Sequence, residues 1–290
     1  MREHVRPGVT RAEEVVANAS GENFLVALRV LPAAHRRHLT ALYGFARLTD
    51  DLGDEAREAG QSDADLRLGL LDELDADVDR IYQGATPHSP VMQKMAVTVA
   101  ECHVPAQPLR DLIQANRQDQ RVTRYQTFAE LARYCELSAN PVGQIVLYIF
   151  GVATGERIAR SDSICTALQL AEHWQDVAED LANGRIYLPA EDLERFNVTE
   201  ADLAVPVAGL AVRDLMRFET DRAATLMNQG APLVGTLRGA ARVAVAGYLA
   251  GGRAALAAIR DQRYDVLVGT ARPRKPRMLV ELVKAYARGK

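Results

Sequence analysis

The stretch Tyr43-Gly-Phe45-Ala-Arg47-Leu-Thr-Asp50-Asp51-Leu-Gly-Asp54-Glu55 places four acids at the end of an apolar helical repeat. Leu39, Leu42, Tyr43, Ala46 and Asp50 share one face at 3.6-residue spacing, in a segment that Pro32 opens. Asp50 and Asp54 are four residues apart, so a helix points both carboxylates the same way. The pattern returns in Gln175-Asp176-Val-Ala-Glu179-Asp180, at the end of a helix predicted from Arg157 to about Leu181 and closed by Asn183-Gly184. Apolar neighbours (Leu42, Phe45 and Leu48; Leu168, Leu170, Trp174 and Val177) predict that both acidic helices pack into a core.

Like charges at i, i+4 repel by a few tenths of a kcal/mol in water and by more when buried. A cation between them removes that cost. Magnesium suits the role, because it takes oxygen ligands, keeps several waters and completes its shell with substrate phosphate oxygens. One Asp-x-x-x-Asp is weak evidence, since solvated helical faces produce it often. Two copies, each on an apolar helix, argue against a mere charged surface. Arg47 lies three positions before Asp50, and Arg185 follows Asp176 within Gly184-Arg185-Ile-Tyr187-Leu-Pro189. Carboxylates mixed with arginines fit a metal-bridged polyanion such as a diphosphate.

The rest of the chain is read as helical throughout. Ser62 to Tyr82 repeats Leu66, Leu70, Leu74 and Val78 and stops at Gly84, with Pro87 beyond. Further helices are predicted over Pro90–His103, Pro108–Val122, Thr127–Glu136 and Pro141–Ala153, then from about Val207 to Gln229 and Leu233 to Asp261, with a short basic helix at the end. Alternating Val-rich strands, linkers and 20–50-residue repeats are missing, so residues 1–290 read as one all-α domain. The first ~20 residues are expected to be loosely held.

Composition excludes several classes. A net charge of −3 and a pI near 6.1 give no basic field for nucleic acid. Lysine occurs only at positions 94, 275, 284 and 290, an arginine bias that a GC-rich genome also produces. Cys102, Cys135 and Cys165 are too scattered for a disulfide framework or a zinc site and fit a reduced cytosol. The N-terminal residues lack a signal-peptide core, and the longest apolar run, Ile145 to Ala153, falls far short of the ~20 residues that span a bilayer. The expectation is a cytoplasmic protein that a lipid substrate can still draw to the inner membrane face. The cluster Arg272-Pro-Arg274-Lys275-Pro-Arg277 reads as a solvated basic turn, as a cover for a diphosphate, or as a contact for anionic lipid.

Taken together, Tyr43 to Glu55 resembles the first aspartate-rich motif of the squalene/phytoene synthase family. Gln175 to Asp180 with Gly184 to Pro189 is similar to its second, and Tyr134-Cys135 with Ala139-Asn-Pro-Val-Gly143 matches the substrate-channel helix between them. The resemblance runs from about Glu22 to Asp265. It implies an all-α, single-domain isoprenoid (trans-prenyl) synthase bundle with a central cavity, and a prenyl diphosphate substrate. Carried over by position, it implies metal binding at Asp50, Asp54, Asp176 and Asp180 and diphosphate binding at Arg47 and Arg185. Phe24, Gln175 and Tyr187 join the substrate contacts, and Tyr43 and Tyr134 line the reacting centre, where a tyrosine π face stabilises a carbocation.

Three departures from the condensing members stand out. Gly21-Glu22-Asn23-Phe24 puts Glu22 where a basic residue is usual, Glu172 replaces an asparagine, and Gln175 replaces an arginine. Each removes affinity for polyanions, which points to one diphosphate rather than two and leaves the number of magnesium ions open. Glu172 then reads as an extra ligand or a general base, and a tyrosine hydroxyl or the released diphosphate are the other candidates for activating water. These features, with His173-Trp174-Gln175-Asp176, resemble the hydroxysqualene synthase branch of bacterial hopanoid pathways, which ionises presqualene diphosphate and captures the cation with water. No nicotinamide fingerprint G-x-G-x-x-G follows a strand, so no NADPH is expected. The alternatives are head-to-head condensation of prenyl diphosphates and a non-catalytic assembly factor on the same fold. His35, His38 and His173 read mainly as structural, and Trp174 as core.

Overall fold

A computed structural model describes residues 31–54 and 63–288 of the 290-residue chain. The expectation for the first ~20 residues and the readings of Glu22 and Phe24 lie outside those residues. Fourteen helices and no strand occur among the described residues, as an all-α reading requires. The contacts gather into two compact units. One holds the described residues up to Gln120 with Tyr148–Gly151, and the other holds Arg121–Leu147 and the described residues from Val152 on.

The first unit contains α1 (Ala33–Asp54), α2 (Asp63–Tyr82), α3 (Pro90–Cys102) and α4 (Ala106–Asp119). Helix α1 buries His38, Leu39, Ala41, Leu42, Phe45 and Thr49, a stripe at helical spacing that packs on α3 and α4. Tyr43, Arg47 and Asp50 follow one another on a neighbouring stripe, with Arg47 and Asp50 exposed. Along α2 the predicted repeat holds at Leu74 and Val78, but Leu66 is 60% exposed and Leu71 is buried instead. The core face is therefore rotated from the predicted one near the start of this helix. Buried Asp77 accepts the backbone N–H groups of His88 (2.8 Å) and Ser89 (2.7 Å), satisfying donors just ahead of α3.

The second unit contains α5 (Phe128–Ser138), α6 (Asn140–Ile149, of which Tyr148 and Ile149 belong to the first unit), α7 (Gly155–Gln175), α8 (Val177–Ala182), α9 (Ala190–Arg195) and α10 (Glu200–Leu203). Then come α11 (Leu210–Gly230), α12 (Leu233–Thr236), α13 (Gly239–Asp261) and α14 (Lys275–Arg288). Helix α7 is the axis of this unit, packing on α5, α11 and α13. Asn140 and Gly143 of the Ala139–Gly143 motif explain how α6 joins it. Thr166 of α7 donates to the buried Asn140 side chain at 3.0 Å, and a β-carbon at Gly143 would collide with Ser161 and Cys165.

Two predicted boundaries are corrected. The long helix from Arg157 to Leu181 is interrupted at Asp176, whose backbone (φ −109°, ψ 15°) leaves the helical region. The helix from Leu233 to Asp261 is two, parted at Leu237, which is extended at φ −104°, ψ 160°. Helices α9 and α10 were not predicted, because elements of six and four residues are too short for periodicity to reveal. Thr199 and Asp202 form a reciprocal capping box on α10, a signal the sequence does carry. Helix α13 is long and apolar enough to cross a membrane by length and composition, with 56% of its apolar window buried as in a core helix.

A buried ionic cluster ties α9 to α11. Arg222 donates to Asp192 (2.7 Å) and to Glu219 (3.2 Å), and its guanidinium stacks 4.1 Å from Phe128 and 4.4 Å from Phe218. Burial pushes the Glu219 carboxyl up to about 8, outweighing the pull of an Arg222 charge already shared with Asp192.

Two predictions follow from this packing. At Gly230 a β-carbon would sit 2.5 Å from the Arg160 carbonyl oxygen and 2.5 Å from Ile164 Cγ1, so α7 and α11 touch backbone to backbone. Gly230→Ala is expected to cost about 1–3 kcal/mol, whereas Gly252→Ala, which meets the movable ends of Met227 and Leu168, costs under about 1 kcal/mol. Melting followed by circular dichroism checks this, and equal losses would contradict the backbone contact. The second concerns Glu219. Its folded value lies above the unfolded one, so wild-type stability declines as pH rises from about 4.5 towards about 8. Glu219→Gln keeps the shape of the protonated acid and removes this slope. It should match wild type near pH 4, melt higher by pH 6 and gain most near pH 9; a parallel decline in both proteins counts against a protonated Glu219.

Candidate active site

The first acidic motif closes α1. Phe45 accepts the Thr49 hydroxyl at 2.8 Å through its carbonyl, and both residues are buried, which turns Asp50 outward. Arg47 Nε pairs with Asp51 at 2.8 Å rather than with Asp50. Asp50 accepts instead from Asn116 Nδ2 of α4 at 3.3 Å, and Gln120 Nε2 donates to the Gly53 carbonyl at 3.0 Å. A side chain at Gly53 would strike Asn116, so glycine in this motif permits the approach of α4. Tyr43 is half-buried one turn before Arg47. Asp54 ends the helix, and its side chain lies outside the described residues.

The second motif straddles the break between α7 and α8. Asp176 caps α7 through its N–H to the Glu172 carbonyl (3.0 Å), and its own carbonyl accepts from Asp180 N at 2.8 Å. The i, i+4 link between the two aspartates therefore survives the break. Both are half-buried, while Glu172, one turn earlier, is exposed. Burial and then the Glu179 charge push the Asp176 carboxyl up, opposed by the Thr270 hydroxyl, which donates to it at 3.3 Å. The Gln175 amide donates to the Ala271 carbonyl, so residues 270–271 lie directly on the motif.

After α8 the chain turns at Gly184, whose φ of +76° favours glycine, and runs extended beside residues 123–126. Ile186 N donates to the Thr123 carbonyl (3.0 Å) and Ala190 N to that of Tyr125 (2.9 Å). This pairing delivers Tyr187 to Tyr125, their rings 5.9 Å apart, and Tyr134 of α5 completes a triangle at 5.5 Å and 5.9 Å. His173 of α7 stacks on Tyr187 with centroids 3.7 Å apart and planes inclined by 12°. The Arg185 guanidinium donates to the Tyr187 hydroxyl at 3.1 Å. Burial, then the Arg185 charge, holds the His173 imidazole down to about 3. The ring is therefore neutral at ordinary pH, with an amide donor from Gln169 at 3.4 Å.

Among the residues named from sequence, the second unit thus gathers Tyr134, Arg185 and Tyr187, and holds Glu172, Gln175, Asp176 and Asp180 along about two turns of chain. Tyr43, Arg47 and Asp50 share a stripe of α1, and Phe24 is outside the described residues. Tyr125 is an addition, and His173, read from sequence mainly as structural, joins this group. Nothing local in the sequence marks Tyr125, since it enters through the pairing of residues 123–126 with 185–190. The place of His173, three residues before Asp176 on a helix otherwise lined inward by Leu170, Ala171 and Trp174, is the local signal for its burial. Among the described residues no three His, Cys, Asp or Glu side chains converge as a ready-made metal cage. Paired carboxylates that repel one another are instead a donor set for a hard cation that brings water or substrate oxygens of its own.

That repulsion has a measurable consequence. An acid whose folded value is raised costs stability once ionised, a cost that is absent in strong acid and grows as pH rises. Asp176→Asn is therefore expected to raise the melting temperature of the metal-free protein by about 1–3 °C near neutral pH, allowing for partial solvent screening. The gain should vanish near pH 3, and a loss at neutral pH would contradict the assignment.

Residues 17–279 match the Squalene/phytoene synthase family. The 15-cis-phytoene synthase of Synechocystis sp. is 36% identical over 214 residues, which cover 70% of this chain and 62% of that protein, so the chain spans less than two thirds of that relative. The hydroxysqualene synthase of Rhodopseudomonas palustris is 32% identical over 218 residues, 75% of this chain and 72% of the relative. The crystal structure of squalene synthase HpnC from Alicyclobacillus acidocaldarius superposes with a TM-score of 0.78 at 38% identity, covering 90% of this chain and 97% of that one. A dehydrosqualene synthase with a bound ligand shares the fold at a TM-score of 0.83 and 23% identity, over 96% and 95% of the two chains. The helices seen here are those of the isoprenoid synthase fold, and the chain belongs to the squalene/phytoene synthase family.

Proposed function

We propose that this protein is a hydroxysqualene synthase, which converts presqualene diphosphate and water into hydroxysqualene and diphosphate. The observation that carries the reading is Gln175. It stands beside Asp176, where condensing relatives carry arginine, and its amide is engaged by the Ala271 carbonyl. A neutral side chain held in a backbone contact adds no charge for a second diphosphate, and the exposed Glu172 one turn away adds a negative one. The hydroxysqualene synthases of R. palustris (32% identical) and Sinorhizobium fredii (31% identical) support the same branch.

In this reading Asp50 with Asp54, and Asp176 with Asp180, would each hold magnesium, which when bound would supply positive charge to the diphosphate leaving group. Arg47 and Arg185 bind the diphosphate oxygens. The carbon–oxygen bond breaks with its electron pair leaving on the diphosphate, and the cyclopropylcarbinyl cation opens. Tyr43, Tyr134 and Tyr187 offer π faces to that cation. His173, uncharged at ordinary pH, supports the ring of Tyr187 without adding a competing positive charge. Water adds to the rearranged cation and gives up a proton, for which Glu172 is the base assigned. No hydride is used, so NADPH plays no part. The second reading, condensation of two prenyl diphosphates, is favoured by the 36% identity to the Synechocystis phytoene synthase.

Product analysis separates the two. With magnesium and no NADPH, presqualene diphosphate alone should yield hydroxysqualene, and farnesyl or geranylgeranyl diphosphate should be turned over at least about a hundredfold more slowly. Rapid condensation of either, without turnover of presqualene diphosphate, would sink the proposal. Loss of hydroxysqualene formation in Asp176→Asn ties the activity to the acidic motif.

A further inference from the structure

Helix α14 presents an unusual surface. Met278, Glu281, Leu282 and Ala285 form its inner side, against α13 and α12. The opposite side exposes Leu279 (63%), Val283 (61%), Val280 (49%) and Tyr286 (41%), which lie at i, i+4, i+1 and i+7 along one face. Such a run of large apolar side chains on one exposed helical face differs from the scattered exposed residues of an ordinary surface. The charges around it are one-sided. From Arg272 to Lys284 there are five exposed basic residues, Arg272, Arg274, Lys275, Arg277 and Lys284, against the single acid Glu281, in a chain whose net charge is −3. On a helical projection Lys275 borders one side of the apolar face, and Arg277 and Lys284 border the other. Beneath this helix a cavity of about 750 Å³ separates it from the end of α13, with Arg272, Arg274, Arg277 and Lys284 on its wall.

We propose that α14 is an interfacial helix that docks this protein on an anionic lipid surface, its Leu279–Val283–Tyr286 face entering the headgroup boundary and its flanking bases meeting lipid phosphates. An amphipathic helix with an apolar face and a basic polar border has the composition that lies in the plane of a membrane. A second copy of the chain fits less well. A two-fold contact would set the same basic border against itself, with five bases per copy offset only by Glu281 and Asp261, which pair with Lys284 and Arg277. The placement also has a use. Thr270 and Ala271, at the root of this segment, bond to Asp176 and Gln175, so a lipid surface held by α14 lies at the end of a short connection from the second acidic motif. The inference does not depend on which isoprenoid reaction the site performs.

The test is co-sedimentation of the full chain with vesicles of phosphatidylcholine alone, or containing about one-third phosphatidylglycerol, at about 0.05 M and about 0.5 M salt. Binding to the anionic vesicles at low salt is expected to exceed binding to the neutral ones by about tenfold and to weaken at high salt. Leu279→Ser/Val283→Ser and Arg274→Glu/Lys275→Glu should each reduce it by about tenfold with unchanged melting curves. No partition onto anionic vesicles, or undiminished partition of both double variants, would overturn the proposal. So would a dimer in sedimentation equilibrium that Leu279→Ser/Val283→Ser dissociates, which would give the face to a second copy.

Discussion

The backbone contact between α7 and α11 at Gly230 is the constraint on which the second unit rests. Two helices that close leave no room for side chains between them, so the face of α7 at that contact is fixed in rotation about its own axis. Fixing that rotation fixes everything α7 carries. Thr166 and Ser161 face α6, Leu170 and Trp174 go into the core, and His173 is presented to the ring of Tyr187. The acidic end of α7 then has no freedom to turn its carboxylates away. The chain departs from helical geometry at Asp176, and the hydrogen bond from Asp180 keeps the two aspartates in register across the break.

Two raised carboxyls show how differently one fold treats the same chemical problem. Glu219 is fully buried, and its neighbours Arg222, which is partly exposed, and Asp192, which is buried, complete an ionic cluster around it. Protonation meets the cost of burial there, and Gln would serve nearly as well. Asp176 is only half-buried and is pushed up partly by Glu179, a negative neighbour rather than a positive one. Its charge is unfavourable in the protein alone, and in the proposed function a cation would reverse that. A structural acid is surrounded by its own counter-charge, whereas a binding acid waits for one from outside.

The helical class and the two motifs were legible because apolar periodicity and i, i+4 acids are local signals. Asp50 and Asp176 could be named from the spacing of a dozen residues around each. Three features were not legible. The break at Asp176 leaves no local mark, since nothing in Gln175-Asp176-Val177 spells it out. Tyr125 meets Tyr187 only because residues 123–126 and 185–190 pair, a contact between segments sixty positions apart. Arg47 was expected to serve the face of Asp50, yet its guanidinium lies on Asp51, since i, i+4 geometry competes with i, i+3 on the same helix.

The aromatic triangle carries the most consequential of these non-local features. Tyr125, Tyr134 and Tyr187 come from three separate segments, and each has its ring against the other two. Rings held this way cannot rotate freely, so any π surface they offer is offered in one orientation, which costs no ordering entropy when a cation forms nearby. His173 backs this arrangement from the side of α7. Its burial keeps it neutral, and the positive Arg185 two residues from Tyr187 strengthens that preference. An imidazolium there would place a second full charge against the tyrosine it supports. The depressed basicity of His173 is thus a condition for the tyrosine cluster to face positive charge, and it comes from the same helix packing that positions the acids of the second motif.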